Sequence, residues 1–436
     1  MQWYWTLAIG FALMTGLIFT GVPVFVAFLI INIGGILIAF GPAAFGLYTN
    51  SLLSTLTNEP LVAVPLFILM GEFLFRSGAM ETLYGAIDKL IGRTRIRLYV
   101  VGVALATALG TLSGSAMADA AMLGRTLYPG MVQRGYDKHM SAGLIMAGAT
   151  MAPIIPPSIL AVVLGTLAQV SIAELLLAGI GPGLFMAVLF IVYVRIRVWI
   201  NPSKAPLAED DAGALTALGV ARALLELLPF AGIIFMVMGF ILLGIATPTE
   251  AAACGVVGTA LVAAILRRLN LRLVASALFA AAKTTATIFV IVMSANLFGQ
   301  LLSFTGAPEA MIRIVQDLDV NRWVIYFLLM LIGFIVCMFL GQIEFMLISV
   351  PIYSPLILAL GFDPIWFWMI YLINITTGGM TPPFGVTMFV FKASVPGLSI
   401  LDVYKSTWPF VAVISAGLVI LTLVPEIVLF IPRLTH

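Results

Sequence analysis

Two short clusters of small and hydroxylated residues have the composition of a cation-binding site. The first reads SGSAMAD at 113–119 and the second TTGGMTPPFGV at 376–386, and both lie within strongly apolar sequence. Because lipid cannot satisfy free backbone groups, a helix interrupted at that depth must be packed in protein or line a watery cavity. Such interruptions supply oxygens for cations and helix ends for anionic groups. The pattern predicts a transporter with its site near the membrane midplane.

The first cluster offers oxygen ligands at a predicted hairpin tip. Ser113 and Ser115 supply hydroxyls, and Gly114 lets an ion approach the backbone. Carbonyls left free at a helix end add further oxygens, and hard cations prefer such ligands. Because a single charge needs no cage of carboxylates, we expect sodium there. The alternative is a close helix contact through small residues.

Two acidic residues lie beside the predicted tips, inside apolar sequence. Asp119 follows the first tip and could balance a cation or cap the second hairpin arm, since acids are favoured at helix N-termini. Glu344, in GQIEF, is the matching acid of the second half and could coordinate an ion, bind a proton or orient a substrate. Carboxylates within a membrane are usually functional. Glu72 and Glu250 lie nearer predicted helix ends and are interpreted as structural.

Double prolines at 156–157 and 382–383 interrupt a helix in each half. Consecutive prolines remove N–H donors, so a regular helix cannot continue through them. Hydroxyl side chains flank both breaks: Ser158, Thr376, Thr377 and Thr381. These breaks therefore offer a second set of oxygen ligands. The alternative interpretation is that each break is a kink that serves only helix packing.

Residue types needed for other chemistries are missing. The two histidines, His139 and His436, lie at a predicted boundary and at the last position, and no GxxxxGK[ST] phosphate loop or Cys/His cluster occurs. A net charge of +2 gives no indication of nucleic-acid binding. We therefore predict a protein that is not an enzyme, has no organic cofactor and draws energy from an ion gradient. An intramembrane enzyme dependent on Asp119 and a passive channel are weaker alternatives.

Composition places the chain in a membrane. Its 436 residues are 62% hydrophobic and 9% charged, whereas a soluble domain carries about 25% charged residues. With roughly 20 residues per span, about a dozen passages would fit. Runs such as LVAVPLFILM do not alternate as barrel strands do. The predicted class is an all-α integral membrane protein.

An internal repeat divides the chain into two halves. GEFLFRSGAMETL at 71–83 aligns with GQLLSFTGAPEAM at 299–311, with five identical positions, and the double prolines recur at nearly the same offset. The polar stretch 201–222 reads as a cytoplasmic linker between repeats at 1–200 and 223–436. Coincidence among common membrane residues is the alternative.

Each half is predicted to contain the same series of elements. Re-entrant hairpins fall at about 96–133 and 323–360, and broken helices at about 140–170 and 365–392. The stretch 41–58 reads as a connection or a short surface helix. The other predicted helices lie at 3–20, 22–40, 60–76, 80–92, 175–195, 224–245, 251–266, 284–304, 307–318 and 406–431, of which 80–92 and 307–318 are amphipathic.

Basic residues predict opposite orientations for the two halves. Arginine and lysine flank the first hairpin, which places its ends in the cytoplasm, whereas mainly aspartates flank the second. With this orientation, 18 of the 21 basic residues lie on the cytoplasmic side, and the exceptions are Arg313, Arg322 and Arg433. Hairpins entering from opposite faces correspond to the inverted-repeat plan of secondary transporters.

Four segments, SGSAMADAAMLG, PIIPPSI, ALGFDPIWF and TPPFGVTMFVFKA, resemble the large membrane subunit of the tripartite ATP-independent periplasmic (TRAP) transporters, the DctM-like family. The resemblance extends over essentially the whole chain. It implies an elevator-type transporter in the bacterial inner membrane that uses Na⁺ to import a small organic anion. It also implies two partners, a small four-helix Q subunit and a periplasmic substrate-binding protein. Because no four-helix segment is fused here, we expect a separate small subunit.

The resemblance also suggests where ions and substrate bind. One sodium site would use Ser113, Gly114 and Ser115 with Asp119 and Pro153. The second sodium site would use Gly341, Thr377, Gly379 and Thr381. Substrate contacts would come from Ser113, Ser115, Ser158, Glu344, Thr381, Pro382 and Pro383. The family commonly has an aspartate about four residues after the second-tip glycine, but Phe345 stands there, so the role of Glu344 is open.

Together these observations predict a sodium-coupled importer subunit that binds membrane lipid around its apolar surface. The alternative is a stand-alone carrier of the divalent-anion/sodium symporter type, which would work without a binding protein.

Overall fold

The computed structural model describes most of the chain, and these residues are helical almost throughout, with no strand among them. The predicted helix over 3–20 lies largely outside the described part. The described residues are 9–10, 12–13, 16–17, 20–41, 45–91, 94–206, 217–317 and 320–434.

Between residues 20 and 91, four α-helices precede the first hairpin. The stretch that was predicted as a connection or surface helix, 41–58, contains a helix at its centre, and its second part meets the following helix at 57°. A 3₁₀ turn over Glu59–Val62 lies at that bend. The four helices are Val24–Phe40, Phe45–Leu56, Ala63–Arg76 and Ala79–Leu90.

The first hairpin consists of the arms Arg97–Ser113 and Ala116–Thr126. Gly114 ends the first arm in the left-handed conformation at φ 61°, which glycine adopts without steric cost. Ser115 then caps the second arm by accepting from the Ala118 N–H at 3.4 Å. The tip is therefore two residues long, and a short helix over Tyr128–Gln133 follows the second arm.

The first broken helix has segments Lys138–Ala149 and Ile159–Ala168. The residues between them, 150–158, are called the first break. Asp137 caps the first segment and Ser158 caps the second, each by accepting a backbone N–H. Ile172–Ala178, Ile180–Ile200 and a 3₁₀ turn over Pro202–Lys204 complete this half.

Ala217–Ile234 is the first described helix after residue 206, and its first residues lie inside the predicted linker. One helix extends well beyond its predicted range: Leu271–Phe304 has 34 residues, whereas the prediction began at 284. Asn270 caps its start by accepting from the Leu273 N–H at 2.8 Å, and no proline or glycine interrupts the next 20 residues. The elements here are Ala217–Ile234, a π-helical turn Phe235–Gly239, Phe240–Leu242, Pro248–Ile265, Leu271–Phe304 and Ala307–Asp317.

The second hairpin has arms Arg322–Cys337 and Gln342–Ala359, joined by a tip over 338–341. The second broken helix has segments Pro364–Gly378 and Val386–Ser394, and the residues between them, 379–385, are called the second break. The chain then forms helices Ile400–Leu423 and Glu426–Arg433.

Hairpins and broken helices pack closely on one another. A Cβ on Gly110 would lie 2.8 Å from Ala152 Cα, so the first hairpin touches the first break directly. A Cβ on Gly124 would lie 3.1 Å from Phe391, which places the same hairpin against the second broken helix. Such close approach holds these elements together as one packed body.

The described residues contain six helices that are long and apolar enough to span a membrane, or seven if the bent pair near residue 57 counts as one span. The first arms of the two hairpins, at 17 and 16 residues, fall short of that length. At 1.5 Å per residue each reaches about 25 Å, less than the ~30 Å hydrocarbon core. The molecule is an all-α integral membrane protein.

Candidate ion and substrate site

The tip of the first hairpin holds a fully buried carboxylate with one oxygen unpaired. Ser113 Oγ donates to Asp119 Oδ1 at 2.8 Å, and the Ser115 N–H donates to Ser113 Oγ at 3.1 Å. Asp119 is 0% exposed, and its Oδ2 has no hydrogen-bond partner. A buried acceptor without a donor is costly, so this oxygen suits a bound cation.

The first break lies directly under this tip. A Cβ on Gly114 would be 3.4 Å from both the Pro157 carbonyl oxygen and the Ile159 nitrogen. Ser158 is fully buried; its hydroxyl donates to the Pro153 carbonyl and accepts from the Ala161 N–H. Ser158 is therefore fully engaged in holding the break and starting the next helix.

The tip of the second hairpin differs from the first because its acid folds back on it. The Glu344 carboxylate lies against Gly341, in the space that a Cβ on this glycine would fill. Glu344 is in the first turn of the second arm, where a negative charge offsets the positive end of the helix. Its side chain is part-buried at the tip.

The second break is lined by threonines whose hydroxyl protons are already used. Thr377 Oγ1 donates to the Ile373 carbonyl at 2.6 Å, and Thr381 Oγ1 donates to the Thr377 carbonyl at 2.7 Å. Both side chains are buried, as is Thr376. In the part of the chain that the structure describes, no three His, Cys, Asp or Glu side chains converge on a metal site. Any cation bound here would therefore rely mainly on neutral oxygens.

A cavity of about 260 Å³ brings the two hairpin tips together. The first tip forms one wall with Pro153 of the first break. Gln342 and Ile343, the first two residues of the second hairpin's second arm, face it. Thr284 and Glu72 come from two neighbouring long helices. The Gln342 amide also lies in the space that a Cβ on Gly379 would fill, so this side chain connects the cavity to the second break.

Of the predicted site residues, four line this cavity: Ser113, Gly114, Ser115 and Pro153. The other predicted residues do not line it. They lie on the second arm of the first hairpin, in the first break, at the second hairpin and at the second break: Asp119, Ser158, Gly341, Glu344, Thr377, Gly379, Thr381, Pro382 and Pro383. Pro383 is held from another helix, because the Tyr404 hydroxyl donates to its carbonyl at 2.8 Å.

Sequence reasoning missed the role of three polar side chains that line the cavity. Thr284 carried a signal, since a Thr-Thr pair interrupts an apolar helix, but the predicted helix only began there. Gln342 was read as part of a tip without a role. Glu72 was interpreted as structural; it lines the cavity while pairing with Arg76 at 2.7 Å.

The described part of the chain contains two hairpins and two broken helices, and its sequence assigns it to a family. The profile of the tripartite ATP-independent periplasmic transporter DctM component matches residues 11–427. The chain belongs to the DctM family. The predicted resemblance is confirmed, and this TRAP large permease subunit is a transporter component rather than an enzyme, located in the bacterial inner membrane. Membership also decides against the stand-alone symporter alternative.

Relatives match over nearly their full length. The ectoine TRAP transporter large permease protein TeaC of Halomonas elongata is 31% identical, covering 96% of this chain and 97% of the relative. The C4-dicarboxylate TRAP transporter large permease protein DctM of Pseudomonas aeruginosa is 30% identical, covering 91% and 92%. Among solved structures, the Alcanivorax borkumensis YdaH transporter superposes with a TM-score of 0.63, covering 88% and 89% at 14% identity. That last likeness shows a shared fold.

Replacing Gly379 with Ala tests whether the contact between Gln342 and the second break matters for transport. The new Cβ displaces the end of the flexible Gln342 side chain, which can swing away at low cost in stability. We expect unchanged thermal stability and an uptake rate lowered about tenfold, equivalent to ~1.4 kcal/mol. Gly85→Ala is the control, because nothing lies within 4 Å of its new Cβ. Equal uptake by both variants would show that the contact is unimportant.

Proposed function

We propose that this TRAP permease subunit couples the inward movement of Na⁺ to the import of a small organic anion. The observation that carries the proposal is the cavity at which both hairpin tips and the first break meet. The proposed ion ligands then lie beside a space large enough for a small substrate. Binding of the ion can therefore affect binding of the substrate.

The first tip provides the better-defined ion position. The unpaired Oδ2 of Asp119 and the Ser113 hydroxyl lie beside the last carbonyls of the first arm, which helix geometry leaves without intrahelical donors. A Na⁺ ion there would neutralise the buried carboxylate. The hydroxyl and carbonyl oxygens of the second break are the proposed second position, with Thr377, Gly379 and Thr381 around it.

The substrate is proposed to bind between the tips, in the cavity. Its anionic group would face the N-termini of the second hairpin arms, at Ala116 and Gln342, where free N–H groups favour negative charge. The Gln342 amide and the Thr284 hydroxyl add donors. The carboxylate-bearing solutes named for the two relatives, ectoine and C4-dicarboxylates, fit such a site.

The proposed motion is an elevator movement of one packed body made of both hairpins and both broken helices. The repeats would be inverted, and their aligned Gly78 and Gly306, which share a φ of 69°, support a common ancestry for the two halves. The remaining helices would form a scaffold for a small membrane subunit. A periplasmic binding protein would deliver the substrate, as the family's tripartite description suggests.

Removing sodium tests the coupling directly. The large and small subunits are reconstituted in liposomes with the cognate binding protein, whose ligand is first identified by thermal-shift screening. We expect concentrative uptake with an inward Na⁺ gradient, and uptake at background level when K⁺ replaces Na⁺ or when monensin collapses the gradient. Substrate affinity of the isolated binding protein is measured in both salts as the control. Uptake at an equal rate in K⁺ would refute sodium coupling.

A further inference from the structure

A second cleft, of about 210 Å³, is formed by segments other than the two hairpins. It is enclosed by the end of Ile180–Ile200, the following 3₁₀ turn, the start of the first broken helix and the first turns of Ile400–Leu423. Tyr193 and Phe410, whose rings are 5.1 Å apart, form its apolar wall. The cleft shares no residue with the cavity between the tips.

Cations dominate the lining of this cleft. Arg197, Lys204 and Lys405 line it, against a single carboxylate, Asp137. Lys204 Nζ already pairs with Asp137 Oδ2 at 3.2 Å. Within the described ranges, Arg197 and Lys405 have no acidic partner within 4 Å. Among the described residues, these two positive side chains therefore face the cleft without a paired carboxylate.

The neighbouring charges do not cancel this excess. Burial alone would raise the pKa of Asp137, but the Met140 N–H and the Lys204 ammonium outweigh burial and hold that pKa below its ordinary value. Asp402, which lies beside the cleft residue His139, is already shared by Lys138 at 3.1 Å and His139 at 2.9 Å. Both acids are thus committed to cations other than Arg197 and Lys405.

The surroundings of the cleft are those of a membrane surface. Trp199 and Trp408 flank it in sequence and are 82% and 51% exposed, and exposed tryptophans concentrate at the lipid–water boundary. The sequence predicts that this end of the molecule is cytoplasmic, where anionic headgroups attract basic pockets between helices.

We propose that this cleft binds a phosphate ester or phosphate ion through Arg197 and Lys405. The Arg197 guanidinium can hold two phosphate oxygens at once, and the Lys405 ammonium adds a point charge. Tyr193 and Phe410 would pack against the apolar part of a lipid. A bound phosphate would link Ile180–Ile200 to Ile400–Leu423 next to the start of the first broken helix. Anionic phospholipid and free phosphate share this chemistry.

The test compares two double variants that each lose two positive charges. Arg197→Ala/Lys405→Ala removes the proposed ligands, whereas Arg195→Ala/Lys283→Ala removes exposed cations outside the cleft. The complete membrane complex is purified in detergent, and native mass spectrometry measures binding of phosphatidylglycerol, with phosphatidylcholine as the neutral comparison. A second arm measures the shift in melting temperature caused by inorganic phosphate, with chloride as the comparison.

We expect the wild type and the control variant to bind the phosphate-bearing probe equally, and the Arg197/Lys405 variant to bind it at least about tenfold more weakly. Preferential binding of phosphatidylglycerol would identify a lipid headgroup as the source, and a shift with phosphate alone would identify the free ion. Unchanged binding by the Arg197/Lys405 variant, or equal losses in both variants, would overturn the proposal. Melting temperatures measured without probe establish whether both variants are folded. If Arg197→Ala/Lys405→Ala is not folded, the single variant Lys405→Ala replaces it in the binding measurements.

Discussion

Replacing Asp119 with Asn is expected to abolish sodium-driven uptake. The amide keeps the size of the side chain and can still accept the hydrogen bond from Ser113. The substitution removes only the negative charge of the carboxylate, whose second oxygen is buried without a hydrogen-bond donor. If that charge holds Na⁺ at the tip, its loss should lower the uptake rate by at least about 100-fold at physiological sodium, equivalent to ~2.7 kcal/mol.

The measurement is initial uptake by the complete transporter in liposomes as a function of sodium concentration. Glu81→Gln is the control, because Glu81 is also in the first turn of a helix but is exposed at the surface of Ala79–Leu90. A structural capping role would leave Asp119→Asn active with an unchanged sodium dependence. That result would remove Asp119 from the ion site.

Gly143→Ala is expected to cause a large loss of stability. Gly143 lies in the first segment of the first broken helix, where its Cα faces the helix Ile400–Leu423. An added Cβ would overlap the Ser406 carbonyl oxygen and lie 2.6 Å from the Phe410 ring, and the backbone oxygen cannot move aside as a side chain can. Overpacking of this kind costs about 1–3 kcal/mol or more.

The midpoint of thermal inactivation in detergent measures this loss. Gly232→Ala is the matched control, since Gly232 also lies within a helix but has nothing within 4 Å of the added Cβ. Alanine there should leave stability unchanged or raise it by up to about 1 kcal/mol through its better helix propensity. Equal midpoints for the two variants would contradict the close helix contact at Gly143.

The positions of the hairpins and breaks were predictable because their causes are local. Gly114 and Ser115 terminate one helix and cap the next, and both double prolines interrupt a helix wherever it packs. The family could be predicted for the same reason, since these motifs keep their order along the chain. Local sequence was therefore sufficient to predict where most helices are interrupted.

The meeting of the two tips was harder to predict because it depends on packing between distant segments. Gln342 and Ser113 are far apart in sequence, yet both line one cavity. The long helix Leu271–Phe304 was shortened in the prediction because Arg272 and Lys283 reduce the apolar signal of its first turns. Thr284 therefore fell at a predicted boundary, and its place in the cavity went unnoticed.

The threonines around the second break determine which kind of charge can bind beside them. Because Thr376, Thr377 and Thr381 each give their hydroxyl proton to a carbonyl one turn earlier, only lone pairs point outward. A surface that offers only hydrogen-bond acceptors attracts a cation and repels a carboxylate. Discrimination between cation and anion at this depth would then follow from the direction of three O–H bonds, with no charged side chain required.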